Sequence, residues 1–428
     1  MQAAESVELQ LTIEDEAKLD GEQGPGMAMA MRLIVALAKV SQAPSLIDIE
    51  SAHIDSCLYH GQAGLDFAEK LVKLGAKVVV PTTLNVISLD LLHPGLARLD
   101  PTESVAAQRL LNAYVAMGAR ATWTCAPYQL ADRPKAGTDI AWAESNAIVF
   151  ANSALGARTA RYGDFADVCA AVTGRAPLAG LHVVANRIPT LELDCSSISD
   201  RVLDSDAAWA ALGSVVGREV GERVSILTGI SPRVVNEDRL KALGATAASS
   251  GGVALFHVAG FTPEAVDAGD AWPQFGLPRI EVTPDLLRAA RDELTTAKVG
   301  DALDAVALGT PHFSLSEFAE LAKVLREGGP FDPKCAVWIS TSRYVLAQAT
   351  ELGYVQLCEA VGAKLVVDTC TYITPILADS VRTAMTTSGK WAWYAPANMG
   401  INVVLGTLAE CIASARAGRV IRDESAWQ

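Results

Sequence analysis

Thiols, a carboxylate–amide run and a lysine in a polar turn are the residues of this chain with chemistry to offer. Cys125 sits in "TWTCAPY", between Trp123, Pro127 and Tyr128. A free cysteine packs as a small hydrophobe, whereas a thiolate is a metal ligand. Cys370 closes "VVDTC", behind Asp368 and Thr369. The segment "IAWAESNAIVFANSALGARTARYGDFADVCAAVTGR" sets Glu144, Ser145, Asn146, Asn152, Ser153, Arg158, Arg161, Asp164 and Arg175 among apolar residues. Polar groups buried there need partners, and a ligand site or a structural network at a domain junction would supply them. Arg158 and Arg161 are suited either to bidentate capture of a carboxylate or to ordinary helix ion pairs. Ser388, Gly389 and Lys390 form a polar turn before two tryptophans, where Lys390 is an anion binder or a surface lysine.

Elements must bring these residues together. The runs "AKVVVP", "GLHVVANRI", "GVALFHVAG", "KCAVWIST", "AKLVVDTC" and "NVVLGT" are short, β-branched and apolar at nearly every position. Strands buried on both faces of a parallel sheet have this character. Between them, "GLDFAEKLVKLGA", "DALDAVALG", "SLSEFAELAKVLREGG" and "RYVLAQATELGYVQLCEAVGA" read as helices. Ser314 and Glu317 make a capping-box pattern, and Gly328 and Gly329 end that helix. The alternation predicts α/β domains with parallel sheets. Ligands of such domains gather at the carboxyl ends of strands. The polar strand endings are Thr82, Thr83 and Asn85; Ser340, Thr341, Ser342 and Arg343; Asp368, Thr369 and Cys370; and Thr310, His312 and Ser314. Each alone reads as a polar turn, and together they suggest a shared crevice. His312 beside Phe313 reads as a packed, hydrogen-bonded core histidine. Gly21, Gly24 and Gly26 precede a helix starting near Met27, where free N–H groups can receive an anion.

A chain of 428 residues predicts two or three domains. The net charge of −14 argues against a nucleic-acid or anionic-membrane surface. The acidic, polar start does not resemble a secretory signal, and no run approaches ~18 uninterrupted apolar residues. A cytoplasmic protein is expected, with its eight cysteines reduced: they form no CxxC pair. No GxGxxG follows a strand, and the Walker, HExxH and GxSxG patterns are lacking.

The stretches "LDGEQG", "SAHIDSCLYHGQAGLDFAEKL", "GAKVVVPTTLN", "WTCAPY", "IAWAESNAIVFANSALGARTARYGD", "TGRAPLAGLH", "PHFSLSEFAELA", "VVDTC" and "SGKWAWYAP" cover almost the whole chain in order. In them the sequence resembles the large subunit of the aconitase X family, iron-dependent dehydratases of the aconitase superfamily. The resemblance implies an aconitase-like fold, with three α/β domains of largely parallel sheets around a central metal site. The domains are expected over residues 1–200, 201–290 and 291–428. It implies iron ligands at Cys125 and Cys370. Where other members have a third cysteine before "PHFS", this chain has Thr310. A 2Fe–2S or mononuclear iron site is therefore expected over a 4Fe–4S cluster, completed by Cys57, Thr310 or other oxygen ligands. Substrate contacts carry over to Gly24, Pro25, Ser51, Asn85, Glu144, Ser145, Asn146 and Lys390. The fourth, swivelling domain and its catalytic serine are expected on a separate small subunit.

The implied reaction removes water from a small hydroxy acid. Loss of the cysteine at Thr310 and the lack of an evident phosphate-type basic cluster favour cis-3-hydroxy-L-proline over (R)-5-phosphomevalonate. An iron-responsive regulator that binds RNA is the reading from another class, and the net charge disfavours it. A catalytically dead scaffold subunit is the third.

Overall fold

The computed structural model describes residues 8–272 and 276–428. In chain order its strands are β1 (Leu46–Asp48), β2 (Ala52–Ile54), β3 (Thr82–Leu84), β4 (Ala141–Trp142), β5 (Arg175–Pro177), β6 (Leu191–Asp194), β7 (Ser225–Thr228), β8 (Phe256–Val258), β9 (Arg279–Glu281), β10 (Ala305–Phe313), β11 (Ala336–Thr341), β12 (Ala363–Val367), β13 (Thr383–Thr386) and β14 (Asn402–Leu405). Three sheets have the orders β3-β2-β4, β8-β7-β6-β9 and β12-β11-β10-β13-β14. Every pairing within them is parallel. The antiparallel pair β1–β5 ties Leu46–Asp48 to Arg175–Pro177.

Burial explains the parallel sheets. All nine residues of β10 are buried, and so are Val337–Thr341 of β11, Leu365–Val367 of β12 and Val403–Leu405 of β14. Such strands need helices on both faces, and the intervening segments supply them. The Ser314–Glu317 capping box forms, with Ser314 Oγ accepting from Glu317 N at 3.1 Å and Glu317 Oε2 accepting from Ser314 N at 2.7 Å.

One apolar core joins the middle and last sheets to the first. It contains Leu193 of β6, Val403 of β14, Trp209, Trp391 and Val149 of helix Ser145–Ser153. The helices Asp206–Val220 and Glu237–Gly251 pack closely within it. Helix Gly389–Met399 also lies against Glu237–Gly251, and a Cβ at Gly389 would collide with Thr246 Oγ1. That close approach requires glycine one residue before Lys390.

Three runs differ from their sequence reading. "DALDAVALG" does not form a helix: its Ala305–Leu308 part is the start of β10, the centre of its sheet. A four-residue apolar run carries too little periodicity to separate the two states. "GLHVVANRI" forms two 3₁₀ turns rather than a strand, and its Val184 and Ile188 are exposed. "AKVVVP" is loop with Val79 exposed, and the strand begins after it at Thr82. Among the described residues, no helix is long and apolar enough to cross a membrane.

Candidate active site

A cavity of about 330 Å³ opens where the sheets meet. Asp55, Asn85 and Glu144 line it, and each lies just beyond the carboxyl end of β2, β3 or β4. Thr310, Cys370 and Lys390 line its other side, from β10 and the segments after β12 and β13. The parallel sheets thus converge their strand endings on one crevice, the usual ligand position in α/β folds.

Cys125 reaches the cavity from a segment that follows the end of β3. Thr124 N donates to the Leu84 carbonyl at 3.1 Å, and Thr122 Oγ1 donates to it at 2.9 Å. The Sγ atoms of Cys125 and Cys370 and a ring nitrogen of His312 all lie within 4.8 Å of one another. Cys125 Sγ accepts from the His312 backbone N–H at 3.3 Å. The Cys370 thiol is pushed well above its ordinary range, first by its hydrogen bond with Cys125 and then by burial.

His312 is not free to act as a third ligand. Its Nε2 lies 3.1 Å from the Thr369 carbonyl, which only accepts, so Nε2 carries the proton. Its Nδ1 then accepts from Thr124 Oγ1 at 3.0 Å. Burial holds this imidazole down to about 4, so it is neutral, as the reading of a packed core histidine requires. Thr310 Oγ1, in contrast, is buried and has no hydrogen-bond partner. A buried hydroxyl left unpaired costs roughly 1–3 kcal/mol, so a group bound in the cavity would relieve it. Two thiols with an unsatisfied oxygen suit a soft or borderline metal, and the donor set fits iron.

Glu144 organises the opposite wall. It caps helix Ser145–Ser153, with Oε2 accepting from Ala147 N at 2.8 Å and from Asn146 Nδ2. Its Oε1 accepts from Lys390 Nζ at 2.5 Å, and Lys390 also reaches Ser145 Oγ at 3.1 Å. Burial is the largest single influence on the Lys390 ammonium and would lower it, but attraction to Glu144, Tyr372 and Cys125 together with the Glu144 hydrogen bond raises the group well above its ordinary value. Asn146 stands one layer behind, donating to the Cys125 carbonyl at 2.9 Å and accepting from Tyr128 OH at 2.6 Å. Tyr128 is stacked on Phe150.

The cavity therefore unites Asn85, Glu144, Ser145, Lys390, Cys125, Cys370 and Thr310, with Asn146 as a brace. Other candidates lie elsewhere. Ser51 precedes β2 and lines a separate cavity with Val78–Thr83, at the amino end of the same sheet. Gly24 and Pro25 begin the helix Pro25–Val40, whose Gly26 N donates to the Leu74 carbonyl before β3. Cys57 packs in the core of the first sheet and donates to the Ile54 carbonyl at 3.3 Å. Arg158 runs beside Asp139, Arg161 is exposed, and Arg175 pairs with Asp15 and Asp48, so none of these lines the cavity.

The sequence reading missed Asp55, Tyr372, Tyr394 and Asn398, all of which line the cavity. Tyr394 and Asn398 repeat at helical spacing from Lys390 on helix Gly389–Met399, a signal present in the sequence. Asp55 follows a strand of three residues, too short to announce itself by alternation. Its carboxyl is raised to about 8, by burial first and then by the Glu144 and Asp167 carboxylates.

Comparison with known proteins decides what this arrangement belongs to. The family models named aconitase X first, second and third domain match residues 8–185, 182–292 and 303–417. The chain belongs to the aconitase X family. A crystal structure of the holo-form of Thermococcus kodakaraensis aconitase X superposes with a TM-score of 0.84 at 36% identity, covering 95% of this chain and 100% of that one. The cis-3-hydroxy-L-proline dehydratase of Pseudomonas aeruginosa is 44% identical over 420 residues, which are 96% of this chain and 71% of that protein. The phosphomevalonate dehydratase large subunit of Methanothermobacter thermautotrophicus is 36% identical over 394 residues, 91% of this chain and 94% of its own. These aconitase X relatives are dehydratases, that is, hydro-lyases.

Proposed function

We propose that this aconitase X chain is the large component of an iron-dependent hydro-lyase acting on cis-3-hydroxy-L-proline. The product is an enamine that tautomerises to 1-pyrroline-2-carboxylate, with release of water. The observation that carries the reading is the charge of the cavity. Lys390 is its one lining lysine or arginine among the described residues, and Glu144 already pairs with it. A phosphorylated substrate such as (R)-5-phosphomevalonate would bring a phosphate beside the Glu144 carboxylate as well as its own carboxylate, and among the described residues no lining lysine or arginine beyond Lys390 would receive it. The higher identity to the named hydroxyproline dehydratase, 44% against 36%, supports the same choice.

The reaction removes a proton α to a carboxylate and expels the hydroxyl from the neighbouring carbon. Iron held by Cys125 and Cys370 would supply Lewis-acid activation of that hydroxyl. Thr310 Oγ1 is the oxygen nearest in role to a third ligand. Two thiols fall short of the three that a 4Fe–4S cluster uses in ordinary aconitases, which favours a 2Fe–2S or mononuclear centre. Lys390 keeps a third N–H for the substrate carboxylate, with Glu144 and Ser145 accepting its other two and fixing the ammonium. Neutral His312 holds Cys125 and the Thr369–Cys370 segment in register through its backbone N–H and Nε2–H. Leu58, Ile373, Tyr372 and Tyr394 give the cavity apolar walls that limit water. The base that takes the α proton belongs, in this reading, to a small swivel-domain partner that closes over the cavity. The "large subunit" naming of the phosphomevalonate dehydratase relatives supports such a partner.

The test is direct. The iron-loaded complex with the small partner is incubated with cis-3-hydroxy-L-proline and the products are identified by mass spectrometry. Formation of 1-pyrroline-2-carboxylate is expected. Its absence, with iron and partner both bound, would overturn the assignment.

A further inference from the structure

Asp55 is the cavity carboxylate with an acceptor to spare. Its Oδ1 accepts from Asn85 Nδ2, which aims the carboxyl group. Its backbone N–H donates to Asp167 Oδ2 at 2.7 Å, fixing the turn that leaves β2. Asp55 Oδ2 takes no hydrogen bond among the described residues, and the residue remains accessible through the cavity it lines.

The charges around it are unbalanced. Glu144 satisfies Lys390, and the Asp167 and Asp164 carboxylates behind Asp55 add to the negative field it feels. Lys390, whose other two N–H groups go to Glu144 and Ser145, keeps a third for a ligand elsewhere in the same cavity. The cavity thus pairs an unused carboxyl oxygen, whose ionised form a bound cation would favour, with an ammonium donor, the complement of a zwitterion. We propose that Asp55 Oδ2 receives the ring ammonium of the substrate, and that this contact selects cyclic amino acids over hydroxy acids lacking an amine. The inference rests on the hydroxyproline reading above and adds the residue that enforces it. An ammonium placed there forms a charge-assisted hydrogen bond and relieves the repulsion among the carboxylates.

Binding is measured by calorimetry on the iron-loaded complex, separately from turnover. L-Proline and cyclopentanecarboxylate share ring size and carboxylate and differ in the amine. A hydrogen bond between charged groups predicts that L-proline binds about 10- to 100-fold more tightly. Asp55→Asn should bring the two affinities together and raise KM for cis-3-hydroxy-L-proline by a similar factor. Equal affinities in the wild-type complex would overturn the proposal, whether or not the variant folds. So would a folded Asp55→Asn complex with unchanged preference. Preference for L-proline without turnover of cis-3-hydroxy-L-proline would support the ammonium site and sink the substrate assignment instead.

Discussion

Replacing Lys390 with methionine removes the ammonium and keeps an unbranched side chain in its place. The Lys390 and Glu144 side chains are each 6% exposed, with Nζ 2.5 Å from Oε1. Removing one partner of a buried pair costs about 3–5 kcal/mol, because the other charge stays buried without compensation. Glu144 would keep its hydrogen bonds from Ala147 N and Asn146 Nδ2, which places the expected loss near the lower end, about 3 kcal/mol. Glu144→Gln strands Lys390 in the same way. The double variant carries no orphaned charge, and its glutamine oxygen can still cap Ala147. It should therefore be more stable than the sum of the single losses by about 1–3 kcal/mol. Urea denaturation of the metal-free wild type, both single variants and the double variant closes the cycle. Additivity within about 0.5 kcal/mol would show that Lys390 and Glu144 do not act as a coupled buried unit.

Further outcomes follow from the same geometry. Cys125→Ser or Cys370→Ser should lose bound iron and turnover together, as read by metal analysis beside the dehydratase assay; retention of both would remove these thiols from the metal site. Thr310→Cys puts a third thiol where an unpaired buried hydroxyl now sits, and it should raise iron retention and alter the visible absorption of the metal centre; an unchanged spectrum and iron content would place residue 310 outside the coordination sphere. Gly389→Ala forces its methyl against Thr246, and a loss of about 1–3 kcal/mol is expected from denaturant titration, with a loss below about 0.5 kcal/mol counting against the close approach. Burial lowers His257 to about 4 from an ordinary value of 6.5. Its folded value is depressed, so its contribution to stability is present above pH 6.5 and is lost as the pH falls towards 4. His257→Gln should flatten the acid limb of the stability profile over that window, and an unaltered limb would contradict the assignment.

Some of the site was legible from residue types alone. The acids, amides and lysine of "AESN" and "SGK" and the cysteines of "WTCAPY" and "VVDTC" do come together. Strand endings were a sound guide for Asn85, Thr310 and Cys370, because parallel sheets leave their carboxyl ends open to a shared crevice. The same guide overreached at Thr83 and Asp368. Thr83 is spent on His53 at 2.8 Å, and Asp368 on a bidentate pair with Arg343 at 2.7 and 2.6 Å. A polar strand ending states that hydrogen bonds are needed, not who supplies them. Asp55 escaped notice because a three-residue strand has no readable period.

The alternation of β-branched apolar runs with helical stretches was enough for the class of fold, because most of those runs are strands buried on both faces, although "AKVVVP" and "GLHVVANRI" are not. The sequence also showed which polar groups had to find partners, and that residue 310 is a threonine, where the resemblance implies a cysteine in other members. Only the tertiary structure decided which groups share the cavity. Ser51 lies just before β2 and Asp55 just after it, yet they face opposite ends of one sheet. Glu144 and Lys390 are separated by 246 residues, yet they touch. Strand direction and the close packing permitted by Gly389 produce those outcomes. Both act between elements distant in sequence, where local pattern has no reach.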